Sequence, residues 1–205
     1  MMVMGETWSA CMLRYSQDGD MESEVIVRYS TLDTVLDEQI REICVGEWHV
    51  ARQLPRLIGD VCSVELQSQL RTALEACHAR AERLDRVLKT RGVSAEHARS
   101  RVVDALMGQA AEVAEHRGED LLLDHGLVSV FRHLESYQRS IYESAREVAS
   151  VLNAADVVAV LESDLEDHGR MERYFMVLEE DMLDTIVARG AGGDKARRPR
   201  ETAAQ

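Results

Sequence analysis

The sequence predicts an all-α protein, an antiparallel four-helix bundle with an additional short helix. Three observations carry this. Aromatic residues make up 4% of the 205-residue chain and there are two prolines, Pro55 and Pro199, which argues against a β-sandwich or barrel. Apolar residues make up 45%, enough for one core. Apolar side chains also recur at helical spacing along four long stretches joined by short connections, the pattern of an antiparallel bundle.

Residues 1–30 read as an N-terminal extension. Within it Ser23 to Tyr29, SEVIVRY, alternates weakly, as a short strand or extended arm would. Ser30 or Thr31 can cap the first helix, whose stripe is Leu32, Leu36, Ile40, Ile43, Glu47, Val50, Leu54 and Ile58, with Pro55 near its end. A second helix is expected from about Ser63, with Leu66, Leu70, Leu74, Cys77, Ala81, Leu84 and Leu88 inward and Gly92 as its stop. Ser94 is expected to open a short third helix, ending near His116. The fourth spans about Glu119 to Leu152, with Leu127, Phe131, Leu134, Gln138, Ile141, Ala145, Val148 and Leu152 on its stripe and Asn153 as its breaker. The fifth runs from about Ala155 to Ala188 and closes a bundle domain over residues 31–189. Residues 190–205, GAGGDKARRPRETAAQ, have the composition of a disordered tail.

Polar residues break these stripes at mid-length. Glu47 interrupts the first. Gln138, with Glu135 one turn back, interrupts the fourth. On the fifth, Leu161, Leu165, Met171 and Phe175 share their stripe with His168 and Glu172. Burying such groups alone is costly, so each needs a partner. Helices about 30 residues long would bring their mid-points to one level, and carboxylate and imidazole groups from facing helices are how bundle-core metal sites are built. Such oxygen and nitrogen ligands suit iron, manganese or zinc. The alternative is a hydrogen-bonded core: Glu47 paired with an arginine and His168 held by neighbours. Glu75 and His78 have ExxH spacing, but they point away from the second stripe, as a solvated Glu and a boundary His would.

The bulk numbers exclude several roles. A net charge of −13 discourages nucleic acid and anionic membrane as partners. No stretch of about 18 apolar residues could span a membrane. The four cysteines, Cys11, Cys44, Cys62 and Cys77, form no CxxC and no zinc spacing, and no signal peptide is apparent, so reduced thiols in a cytoplasmic protein are expected. No phosphate-binding glycine loop, GxSxG or HExxH occurs.

Four segments together resemble a known family. Glu47 followed by Leu54-Pro55, LEACHARAERLD from Leu74 to Asp85, LESYQRSIYESA from Leu134 to Ala145, and LESDLEDHGRME from Leu161 to Glu172 are similar in order and spacing to the bacterial YciF-like ferritin-like proteins, associated with stress responses. The resemblance spans about Leu32 to Leu183. It implies a ferritin-like fold with a dinuclear metal site. Carried over by position, Glu47 and Glu135 are kept, and the last helix keeps His168 and Glu172. Ala73 and Ala76 stand where the second helix would supply His and Glu, and Gln138 replaces a Glu. The expected site is therefore partial, with Glu47, Glu135, His168 and Glu172 holding a single iron or manganese ion, or none. The alternative is a metal-free structural or protein-interaction module, in which His168→Leu is expected to be neutral or stabilising. Either reading points away from catalysis, with a homodimer using residues 1–30 in the contact.

Overall fold

The computed structural model describes residues 29–96, 98–116 and 118–196, with side chains as far as Arg189. Of the N-terminal extension expected at residues 1–30, residues 1–28 lie outside the described residues, as do 197–205. Five helices and no strand occur among the described residues: α1 (Leu32–Asp60), α2 (Val64–Thr90), α3 (Arg101–Glu115), α4 (Asp120–Val151) and α5 (Ala155–Ala196).

Local chemistry sets the helix ends. Thr31 caps α1 through a reciprocal box with Thr34, its hydroxyl accepting from the Thr34 N–H at 3.2 Å. Ser63 caps α2 by accepting from the Leu66 N–H at 3.2 Å. Gly92 adopts φ 72° at the end of α2, where the Val93 N–H reaches the Leu88 carbonyl at 2.9 Å. Asn153 plays the same part after α4 with φ 57°, and the Ala154 N–H reaches the Ala149 carbonyl at 3.0 Å. Both are Schellman stops, in which a left-handed residue lets the chain satisfy its last carbonyls.

Two boundaries differ from the sequence reading. α3 begins at Arg101, not at Ser94, because the Ser94 hydroxyl accepts from the Glu96 N–H at 3.1 Å and closes a local turn instead. α5 continues to Ala196, past its expected end near Ala188. Among the described side chains of α5 the last buried one is Met182.

The buried apolar residues form two clusters. One gathers the start of α1 (Leu36, Ile40), the end of α2 (Leu84, Leu88), the end of α4 (Ala145, Ala149) and the start of α5 (Val157, Leu161). The other gathers the opposite halves of the same helices, together with Val103, Met107 and Ala110 of α3. Hence α1 and α5 run one way and α2 and α4 the other. The closest packing is of α1 on α2 and of α4 on α5, and every neighbouring long pair is antiparallel. Because α2 and α4 are parallel, α3 must return the chain to the far end; its 15 residues cover about 22 Å on the outside of α1 and α4. No helix among the described residues is long and apolar enough to cross a membrane.

α3 docks where glycines leave room. A Cβ on Gly126 of α4 would lie 3.0 Å from a Val113 methyl, and one on Gly46 of α1 would lie 3.3 Å from a Val103 methyl. Gly108 on α3 itself faces open space. Gly126→Val is therefore expected to lose about 1–3 kcal/mol by overpacking, whereas Gly108→Ala gains up to about 1 kcal/mol of helix propensity. Urea denaturation of the two variants checks this opposition of signs.

Candidate functional site

Between the two apolar clusters lies a buried polar layer. α1 supplies Glu47, α2 Arg80, α4 Glu135, Gln138 and Tyr142, and α5 Asp164 and His168. Those of α1, α2 and α4 sit near mid-helix, and Asp164 and His168 lie in the first third of the 42-residue α5, at the same depth. Glu47, Tyr142, Asp164 and His168 are 0% exposed and Arg80 is 1% exposed, so water screens none of them.

Glu47 is the hub. The Arg80 guanidinium grips it with two parallel bonds, Nε to Oε1 at 2.9 Å and Nη2 to Oε2 at 3.0 Å. The Tyr142 hydroxyl donates to the same Oε1 at 3.0 Å. The His168 ring bridges the layer: Nε2 lies 3.0 Å from Glu47 Oε1, and Nδ1 lies 2.6 Å from Glu135 Oε2. Arg80 Nη2 also donates to Cys77 Sγ at 3.3 Å. Beside this group, Arg83 donates to Asp164 Oδ1 from Nε at 3.0 Å and from Nη2 at 2.5 Å.

Electrostatics follow from this geometry. Burial pushes the Glu47 carboxyl upward, but the Arg80 charge and the His168 contact outweigh it and hold the group well below the usual carboxylate range. Burial and the Arg80 charge press His168 downward. The Glu135 charge, with hydrogen bonds from the ring to both carboxylates, outweighs them and raises the ring from 6.5 to about 9. His168 is then protonated at neutral pH and donates from both nitrogens. Burial raises the Tyr142 hydroxyl well above its ordinary value, as does the Glu47 charge, so Tyr142 stays neutral. The layer thus holds three carboxylates, Glu47, Glu135 and Asp164, faced by the guanidiniums of Arg80 and Arg83 and by one imidazolium.

The thiols are quiet. Burial, then the charges of Asp85 and Glu47, raise Cys44 to about 12, and burial with the Glu47 charge raises Cys77 well above its ordinary value. Both are free and buried, and Cys44 donates to the Ala81 carbonyl at 3.6 Å, so neither is poised as a nucleophile.

The family described as "Domain of unknown function (DUF892)" matches residues 31–187. The chain belongs to the DUF892 family. Solved structures agree with the fold. The E. coli stress protein YciF superposes with a TM-score of 0.72 at 19% identity, covering 76% of this chain and 98% of that one. YcfI from Rhodopseudomonas palustris gives 0.68 at 24% identity over 74% and 96%. A ferritin-like, diiron-carboxylate protein from Bacillus anthracis strain Ames gives 0.59 at 20% identity over 73% and 99%. No curated protein sequence matches the chain. The DUF892 chain therefore has the ferritin-like fold that its motifs imply.

Of the four expected ligands in this DUF892 protein, three come together: Glu47, Glu135 and His168. Glu172 does not join them. It lies on the outer α4–α5 seam, about a quarter exposed, and accepts from Arg139 Nη1 at 2.8 Å. The buried side chains of α5 include Leu161, Asp164, His168 and Phe175, and between the last two it is Met171, not Glu172, that packs against the apolar core. Glu75 is exposed, as expected, and His78, expected at the boundary, is exposed too. Gln138 is buried with an unpartnered Oε1.

Sequence spacing did not single out Tyr142, Asp164 or Arg80, and the one that matters most is Arg80. Its signal was present: position 80 lies three residues after buried Cys77 and four before buried Leu84, on the inner face of α2. A long basic side chain there reads as a stem that carries its charge out to water. Here Glu47 holds the charge inside.

An iron or manganese ion does not fit these residues as they stand. Both oxygens of Glu47 are committed to a guanidinium, and both nitrogens of His168 are committed to carboxylates on opposite sides of the ring. Ala73 and Ala76 offer no donor from α2. Among the described residues no group of three His, Cys, Asp or Glu side chains is disposed to hold a metal ion.

Proposed function

We propose that this protein is a ferritin-like bundle whose centre is a neutral cluster of side-chain ions instead of a metal site, and that it works as a structural or protein-interaction module. The observation that carries this reading is the bidentate Arg80–Glu47 pair at 2.9 and 3.0 Å, which puts a permanent cation on the first-helix carboxylate. A stress-associated role, a cytoplasmic setting and a homodimer belong to the same proposal. The first is supported by the likeness to YciF, described as a stress protein.

Metal content tests the reading. The full chain, purified without chelator from cells grown with added iron and manganese, is expected to carry less than about a tenth of an equivalent of iron, manganese or zinc. Close to one equivalent, lost in Glu47→Ala or His168→Ala, would overturn it and restore the single-ion site.

A further inference from the structure

We propose that the groove between the end of α2 and the start of α5 is a docking surface for residues 20–28 of this same chain, DMESEVIVR. The inference goes beyond the reading above and stands whether or not the bundle centre holds a metal ion.

The groove offers about 300 Å³. Val87 of α2 and Val157 and Val160 of α5 line it, and Val157 is buried. Around these valines stand three arginines, Arg83, Arg86 and Arg91, against one acid, Asp156. That excess of positive charge is out of character for a chain of net charge −13. Arg86 is exposed and has no ion-pair partner among the described residues. Arg83 and Arg91 commit Nε and Nη2 to Asp164, Asp37 and Asp33, which leaves the Nη1 donors of each for another acceptor. The ligand that suits this surface is a peptide with carboxylates for the arginines and apolar side chains for the valines.

Residues 20–28 have that chemistry and lie within reach. Asp20, Glu22 and Glu24 alternate, so an extended chain puts all three on one face. Extended, they span about 13 Å, and Arg83 to Arg91 span about 12 Å of α2. Val25, Ile26 and Val27 follow directly. The point of entry is at the groove: Arg91 donates to Asp33 at 3.2 Å, and Asp33 lies four residues after Tyr29, the first described residue. Nine extended residues ahead of Tyr29 reach about 30 Å, more than the arginines span. A segment tethered this closely has a high effective concentration at the groove, so modest contacts hold it. The larger groove on the α4–α5 seam, about 610 Å³, is a poorer match, because Glu143, Glu162 and Glu166 stand among its arginines and repel an acidic stretch.

Hydrogen exchange of the full chain, read by mass spectrometry, tests the docking. Amides of residues 20–28 are expected to exchange at least about ten-fold slower than in an isolated peptide of the same sequence. Arg86→Glu should bring them to the peptide's rate. A substitution in α2 leaves their intrinsic rates alone, so any change reports lost contact. Adding Glu22→Lys to Arg86→Glu should recover part of the slow exchange. Arg86 is exposed, so an unchanged urea midpoint is expected to confirm that the bundle is intact. Val160→Asp, which sets a charge among the valines, should release the segment independently. Exchange at the peptide's rate in the unaltered chain would overturn the proposal. So would slow exchange that both Arg86→Glu and Val160→Asp leave untouched. Slow exchange that appears only as the chain dimerises with concentration, followed by sedimentation, would also overturn it and put a second copy's segment in the groove.

Discussion

Arg80→Met is expected to destabilise the protein by about 3–5 kcal/mol, the cost of leaving a buried carboxylate without its cation. Glu47 is wholly buried, and after the change only Tyr142 and His168 would face it. The size of the loss reflects the stranded charge more than the worth of the pair. Glu47→Gln in the same chain should therefore return part of it. A double-mutant cycle on Arg80→Met and Glu47→Gln is expected to give a coupling on the order of 2 kcal/mol, read by urea denaturation. A loss under about 1 kcal/mol in the single variant would place the guanidinium outside the core.

His168 gives the second large effect, and its sign is opposite to the one the sequence suggested. A lone buried imidazole replaced by leucine would be neutral or stabilising. The ring here is shared by two buried carboxylates, and His168→Leu removes the cation that contacts Glu135. A loss of about 3–5 kcal/mol at pH 6 is expected. It therefore no longer separates a metal-bound from a metal-free centre. The pH dependence is more specific. The folded-state value of about 9 lies above the ordinary 6.5, so the folded chain binds the extra proton. The stabilisation is complete below pH 6.5 and fades as pH rises to about 9, a change on the order of 3 kcal/mol. Glu47 acts in the other direction. Its value is held low, so its contribution is present above the ordinary 4.5 and is lost as the pH falls through that range. Stability should peak between these limits, and His168→Leu should remove the alkaline decline but keep the acid one. An alkaline decline unchanged in that variant would assign the proton elsewhere.

How far the sequence alone reached follows from what periodicity can encode. Glu47 and His168 stood out because each breaks an apolar stripe, and a stripe reports which face is inward. Glu135 and Gln138 followed from the same logic on α4. Glu172 was misplaced because four residues on a helix overshoot a full turn by about 40°, and over two turns the inward slot passed to Met171. Arg80 was not singled out because the α2 stripe is complete without it through Cys77, Ala81 and Leu84. Only the position of Glu47 across the bundle makes Arg80 an inward residue, and one helix carries no record of what faces it. The parallel sense of α2 and α4 was likewise invisible until α3 was seen to span the bundle. Helix ends were legible where a cap is local, as at Thr31, Gly92 and Asn153. They were not at Ser94, whose hydroxyl serves a turn as readily as a helix.

The central claim is that a guanidinium, not a metal ion, neutralises the buried carboxylates at mid-bundle. Anomalous diffraction from crystals of the full chain grown with manganese chloride tests it most directly. The account predicts Arg80 in two-point contact with Glu47, and no anomalous peak among Glu47, Glu135 and His168. A peak at that point, with Arg80 turned away, would contradict it.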